Sequence, residues 1–131
     1  MVENQNELVV KVDADGKFLF VSPTYCKLFG KREDELLGNN FMPLVHEEDQ
    51  ASTAKAMESL SHPPHTAYLE QRALTLAGWK WLAWSDRAIV DEKGRIEVVI
   101  GVGRDITQRK KVSDELRESK EKLQNIFDTS T

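Results

Sequence analysis

Gly101-Val102-Gly103-Arg104-Asp105-Ile106-Thr107-Gln108-Arg109-Lys110-Lys111 decides how the rest of the chain is read. Ile96, Val98, Val99 and Ile100 before it, and Val102 within it, are β-branched residues that favour a strand. Gly101 and Gly103 interrupt them, and a glycine inside a strand leaves room for another group to approach the backbone. Asp105 stands three residues before Gln108, the spacing at which a carboxylate caps the first helical N–H groups and a glutamine reaches back. A strand is therefore predicted to end where a charged helix begins. Such a helix leaving the last strand is out of place in a one-domain enzyme and suits a module that hands a change to its neighbour.

Working outward, Tyr68–Leu76, Lys80–Val90 and Arg95–Arg104 are extended segments joined by Ala77-Gly78 and Asp91-Glu92-Lys93-Gly94, the pattern of an antiparallel meander. Nearer the N-terminus, Leu8–Val12 and Phe18–Val21 flank the turn Asp13-Ala14-Asp15-Gly16 and predict a hairpin. Ser22 precedes Pro23 as an N-cap, Tyr25, Leu28 and Phe29 share one helical side, and Gly30 ends that helix. Glu33–Leu37 predicts a single turn closed by Gly38. Gln50–Leu60 predicts a helix with Asp49 as its cap and Ala54, Met57 and Leu60 on its apolar side, closed by His62-Pro63-Pro64. The result is an α+β domain: a five-stranded antiparallel sheet, short helices on one face, and a C-terminal exit helix.

Composition narrows the function classes. A chain of 131 residues is one domain's length, and 40% hydrophobic with 31% charged residues suits a globular chain. No apolar run approaches the roughly 20 residues that span a bilayer, which predicts no direct membrane contact. Met1-Val2-Glu3-Asn4-Gln5 has neither a basic start nor an apolar core, so no signal peptide is predicted. The single Cys26 suits a reducing compartment, and the expected location is cytoplasmic. A net charge of −4 gives no electrostatic reason to bind nucleic acid. Arg109, Lys110 and Lys111 are followed by Asp114, Glu115, Glu118 and Glu121, and read as a solvated helix face.

This order of elements resembles the PAS domain, a small sensor module of bacterial and archaeal signalling proteins. The resemblance rests on Asp13-Ala14-Asp15-Gly16, the Ser22-Pro23 to Gly30 helix, Leu44-Val45-His46-Glu47-Glu48-Asp49, Trp81-Leu82-Ala83-Trp84, and Gly101 through Thr107 with its Asp-Ile-Thr ending. It implies a PAS domain over residues 6–106, a disordered or partial N-terminal cap over 1–5, and a linker helix over 107–131. It also implies a sensory or relay role without catalysis, in a larger protein such as a sensor histidine kinase or a cyclic-dinucleotide regulator. Residues 118–130 resemble the opening helix of a following PAS domain, so adjacent PAS or kinase domains are the expected covalent neighbours.

Side-chain alternation along the strands outlines the interior. Gln71 and Ala73 share a face with Leu69; Leu82, Trp84 and Asp86 share another; so do Val99, Gly101 and Gly103. In PAS domains the corresponding face closes over the helices and can hold a small molecule. With Phe41 these positions form the candidate pocket, although Trp84 could equally fill the core, with Gln71 and Asp86 bonding backbone or water.

The resemblance also tests cofactors. Where related flavin photoreceptors carry Gly-x-Asn-Cys, this chain has Gly38-Asn39-Asn40-Phe41, without the cysteine. Gly103, Ala73 and Leu82 stand at the flavin-binding glutamine and asparagine positions, and Cys26 lies on the early helix instead. The axial histidine of haem relatives would fall in 50–61, where there is none. Flavin and haem are therefore not expected, and the cofactor is unknown. A metal or catalytic site could draw only on His46, His62, His65, Glu47, Glu48, Asp49 and Asp86, whose spacing does not fit. No metal site is expected, and a haem- or metal-binding sensor is the most distant alternative. Ser22, Thr24 and Ser85 lack an activating base, and no glycine-rich phosphate loop is present.

Asp105, Ile106 and Thr107 are the expected relay residues. Val112, Leu116, Leu123 and Ile126 follow a four-three spacing with Ser119 in the gap, a candidate dimer seam. The competing expectation is a helix folded back on its own sheet. Two functions follow: a sensor whose small-molecule ligand alters the last strand, or an unliganded module that sets homodimer geometry.

Overall fold

In the computed structural model, backbone is described over residues 7–129 and side chains over 7–118. The expected cap over 1–5 and the seam residues Leu123 and Ile126 lie outside the described side chains.

Five strands form one antiparallel sheet: β1 (Glu7–Val12), β2 (Phe18–Val21), β3 (Thr66–Thr75), β4 (Gly78–Val90) and β5 (Ile96–Asp105), in the spatial order β2-β1-β5-β4-β3. The first and last strands of the chain meet at the centre, where Leu8 pairs with Gly103 and Val10 with Gly101. Asp13 shapes the first hairpin turn, its Oδ1 accepting from the N–H groups of Asp15 and Lys17 at 2.9 Å, while Gly16 takes φ +86°, a conformation that favours glycine.

Helices α1 (Pro23–Phe29), α2 (Glu33–Leu36) and α3 (Gln50–Ser59) connect the two halves, and α4 (Thr107–Thr129) leaves β5. Ser22 caps α1 by accepting from the Tyr25 N–H at 3.3 Å, and Gly30 closes it at φ +66°. Leu8, Val10, Phe18, Tyr25, Leu82 and Trp84 anchor the buried core between the sheet and these helices.

Three local expectations change. On α3 and at its end the inward residues are Thr53, Met57 and Leu60, whereas Ala54 is exposed. A buried Thr is invisible to a pattern that counts only apolar residues. Asp49 occupies the α3 N-cap position without a side-chain cap bond, because its carboxylate is drawn to Arg72: Oδ2 accepts from Arg72 Nε at 2.9 Å and from the Arg72 backbone N–H at 2.8 Å. A charged two-pronged donor outcompetes a neutral backbone amide. Finally, Arg109 and Lys110 are not a free solvated face, since both reach Glu70 on β3, at 3.0 Å and 2.7 Å.

Candidate functional site

The sheet and helices enclose a cavity of about 50 Å3, room for a few water-sized groups. Phe41, Gln71, Ala73, Leu82, Trp84, Asp86, Val99 and Gly101 line it, so eight of the nine candidate residues meet around one space. Gly103 is the exception. A Cβ there would fall 2.7–2.9 Å from three atoms of the Trp84 ring, so this glycine makes room for the indole rather than for a ligand. Gly101 serves Asp86 in the same way, since a Cβ at 101 would lie 2.8 Å from Asp86 Oδ1. The pairs Trp84–Gly103 and Asp86–Gly101 are also cross-strand partners of β4 and β5.

Strand alternation could not reveal the opposite wall, where Tyr25 and Phe29 of α1 and Thr53 and Met57 of α3 enter the lining. Tyr25 stacks on Phe29 with centroids 4.3 Å apart, and lies 6.2 Å from the Trp84 ring. The available signals were helical: Tyr25 and Phe29 are four residues apart on one face of α1, and Met57 falls on the apolar side of α3.

Several polar groups face this space. Trp84 is 6% exposed, and its Nε1–H is buried with no hydrogen-bond acceptor among the described residues, which costs about 1–3 kcal/mol of desolvation. Tyr25, 3% exposed, bonds through its backbone N–H to Ser22, while its hydroxyl has no partner among the described residues; burial pushes its pKa up. Thr53 Oγ1 lies 2.7 Å from the Asp49 carbonyl and 2.9 Å from Gln71 Oε1. A hydroxyl has one hydrogen to give, so the Gln71 amide can meet it in either orientation and offer its other end to the cavity. Asp86 has no ion-pair partner among the described residues, and burial pushes its carboxyl up to about 7.

The exit junction is built on β4. Ile106 N–H donates to the Trp81 carbonyl at 2.9 Å, and Trp81 N–H donates to Thr107 Oγ1 at 2.9 Å, so pairing with β4 continues past the end of β5. Asp105 Oδ1 accepts from Thr107 N–H at 2.9 Å. This corrects the capping box expected with Gln108: Asp105 lies one residue too early and closes a tight local turn, with no bond from Gln108 to it among the described residues. Trp81 lies between Arg72, 5.1 Å from its ring, and Lys110, 4.7 Å from it, which fixes the first turns of α4 against the outer face of the sheet. Val112 and Leu116 are exposed and do not fold back on the sheet.

The histidines do not assemble. His46 Nδ1 accepts from Glu48 N–H at 3.0 Å and its ring packs on Trp79, while His65 Nδ1 meets the Leu60 carbonyl at 2.9 Å. Among the described residues no three His, Cys, Asp or Glu side chains converge, and no helix is long and apolar enough to cross a membrane.

Comparison with known proteins places these features. The family model described as PAS fold matches residues 1–106. A sensory box histidine kinase/response regulator from Burkholderia thailandensis E264 is 25% identical, with 92% of each chain covered and a TM-score of 0.76. The quorum-sensing receptor RpfR PAS domain of Cronobacter turicensis, solved in complex with C12:0, is 18% identical over 82% of this chain and 100% of that one, at TM-score 0.69. Drosophila melanogaster Cycle PAS-B, solved with bound ethylene glycol, is 21% identical over 75% and 98%, also at 0.69. Curated proteins return no match.

Proposed function

The chain belongs to the PAS fold family, and on that premise we propose that it is a sensory relay domain that takes a small molecule into the cavity beneath Trp84 and passes the change through β5 to α4. One observation carries this reading: Trp84 Nε1 is a buried donor without an acceptor among the described residues, in a cavity shared with Tyr25, Gln71 and Asp86. Native interiors satisfy nearly all such groups with protein or water, so this donor is available to whatever fills the cavity. A ligand acceptor at Trp84, or a donor at Asp86, bears on the two side chains held over Gly103 and Gly101, and Asp105-Ile106-Thr107 follow directly on that strand. Neighbours include a histidine kinase and a PAS domain solved in complex with C12:0, which supports a ligand-responsive domain of a larger signalling protein; the cytoplasmic location expected from the sequence is part of the same proposal. The domain performs no catalysis of its own.

The test is a fragment screen against the purified domain, read by the Trp84 indole N–H resonance and assigned by its loss in Trp84→Phe. Saturable shifts at that resonance support the reading, and a screen in which no fragment moves it overturns it.

A second reading, an unliganded dimerisation module, draws on the exposure of Val112 and Leu116 on α4. The sequence spacing continues this seam to Leu123 and Ile126, which lie outside the described side chains. The two readings are compatible if ligand binding alters how the paired helices leave the sheet.

A further inference from the structure

Asp86 is the only charged side chain that lines the cavity among the described residues. No lysine, arginine or histidine of that set borders the space. Aromatic rings from Phe18, Tyr25, Phe29, Phe41 and Trp84 make up much of the remaining wall. A ring face attracts a cation through its quadrupole, and a desolvated carboxylate beside it supplies the counter-charge. A carboxylate ligand would meet the opposite: like charge, and no cation to balance it.

Resting on the sensor reading above, we infer that the cavity selects a small organic cation, a primary or alkylated amine, with Asp86 as its counter-ion and the aromatic rings as its walls. The groups around Asp86 fit this role. β3 presents Ala67 opposite it and β5 presents Gly101; α1 contributes Tyr25, and α3 contributes Thr53 and Met57. Tyr25 is the one other titratable group in that set, and it stays neutral because burial pushes its pKa up. His65, in the turn before β3, is tied through Nδ1 to the Leu60 carbonyl. Asp86 thus has no cation among the described residues to satisfy it, and a bound ammonium would take that place. Trp84 Nε1–H and the Gln71 amide remain for an acceptor elsewhere on the ligand.

Protonation gives the inference its signature. Burial pushes the Asp86 carboxyl up to about 7, so an ammonium ligand must displace a proton below that pH. Its affinity should rise about 100-fold between pH 5 and pH 8 and level off above. A neutral ligand should show no such rise, and a carboxylate should show the reverse.

The experiment titrates three probes of similar shape, isobutylamine, isobutanol and isobutyrate, into the intact chain at pH 5, 6, 7 and 8, reading the Trp84 indole N–H resonance. Isobutylamine is expected to bind best, with affinity climbing with pH. In Asp86→Asn, which keeps the shape and removes the charge, its affinity should fall about tenfold or more and lose its pH dependence. If isobutanol or isobutyrate binds as well as the amine, or Asp86→Asn binds the amine unchanged, the cation inference is overturned while the ligand-sensor reading stands. If none of the three moves the resonance in a folded protein, the inference falls, and the fragment screen then decides the sensor reading by itself.

Discussion

Gly103→Ala is the most direct test of how Trp84 is held. The substitution adds one methyl group, whose carbon would sit 2.7 Å, 2.8 Å and 2.9 Å from Cε3, Cζ3 and Cδ2 of the indole. Relaxed carbon contacts lie near 3.5 Å or beyond, so the ring must retreat by roughly 0.8 Å. A rigid bicyclic ring cannot swing one atom aside as a flexible chain end can. Overpacking of this kind costs about 1–3 kcal/mol, and the adjoining cavity keeps the loss from running higher by accepting the displaced ring. In a chain of 131 residues each kcal/mol shifts Tm by roughly 3–5 °C, so a fall of about 3–15 °C is expected by circular dichroism. The displaced indole should occupy ligand space, so any probe bound in the cavity should weaken in parallel. Gly101→Ala is the internal comparison: its added carbon meets Asp86 Oδ1 at 2.8 Å, the end of a movable side chain, and should be milder. A Gly103→Ala protein of unchanged Tm, with an unshifted Trp84 resonance, would refute the claim that this glycine exists for the indole.

Asp86→Asn should stabilise the unliganded protein at pH 8 and flatten its pH dependence in urea titrations. Because burial pushes Asp86 up to about 7, the folded wild type keeps a proton that the unfolded chain releases near pH 4. Stability should therefore fall by about 1–3 kcal/mol as pH rises from 4 to 7, and a flat wild-type profile would contradict this. Asp49 has the opposite sign, since the Arg72 guanidinium holds its carboxyl below the usual range. Asp49→Asn should cost about 1–3 kcal/mol at pH 7, with the gap starting to close below about pH 4, where the unfolded chain's carboxyl takes up its proton, and vanishing once the folded carboxyl, held lower by Arg72, is protonated too. At the exit junction, Thr107→Val strips the acceptor from Trp81 N–H and should cost about 1–2 kcal/mol. Asp105→Ala, losing a bond in an exposed turn, should cost about 0.5–1 kcal/mol; equal losses would refute this ranking. Removing residues 108–131 should leave the sheet folded by circular dichroism and shift the domain toward monomer in sedimentation, and an unchanged oligomeric state would remove the helix seam.

The strands were legible because their pattern is local: the β-branched run from Ile96 and the turns at Asp15-Gly16 and Lys93-Gly94 mark the elements directly. One wall of the cavity followed from side-chain alternation along those strands. The other wall did not, because Tyr25, Phe29, Thr53 and Met57 enter it from helices whose docking depends on tertiary contacts. Gly103 escapes sequence reasoning for a related reason: a glycine on the inner face signals room, and only the packed neighbour shows that the indole fills it. The basic residues after Thr107 were equally opaque, since Glu70 lies 39 residues before Arg109 and no periodicity links them.

These long-range contacts bear on how the domain could transmit. The cavity and the exit helix address β4 from opposite faces: Trp84 and Asp86 look inward, while Trp81 lies between Arg72 and Lys110 on the outer side. Two hydrogen bonds join the Trp81 backbone to Ile106 and Thr107, and the Trp84 and Asp86 side chains rest on β5 at Gly103 and Gly101. A shift of β5 relative to β4 would therefore strain the Trp81 bonds before reaching α4. The attachment at Trp81 makes the helix angle responsive to strand position, whereas a helix joined only through its chain end could swing freely and carry no direction. On the sensor reading proposed above, the relay would rest on the fixed start of α4 as much as on the cavity, and weakening Thr107 should loosen the coupling even where a probe still binds.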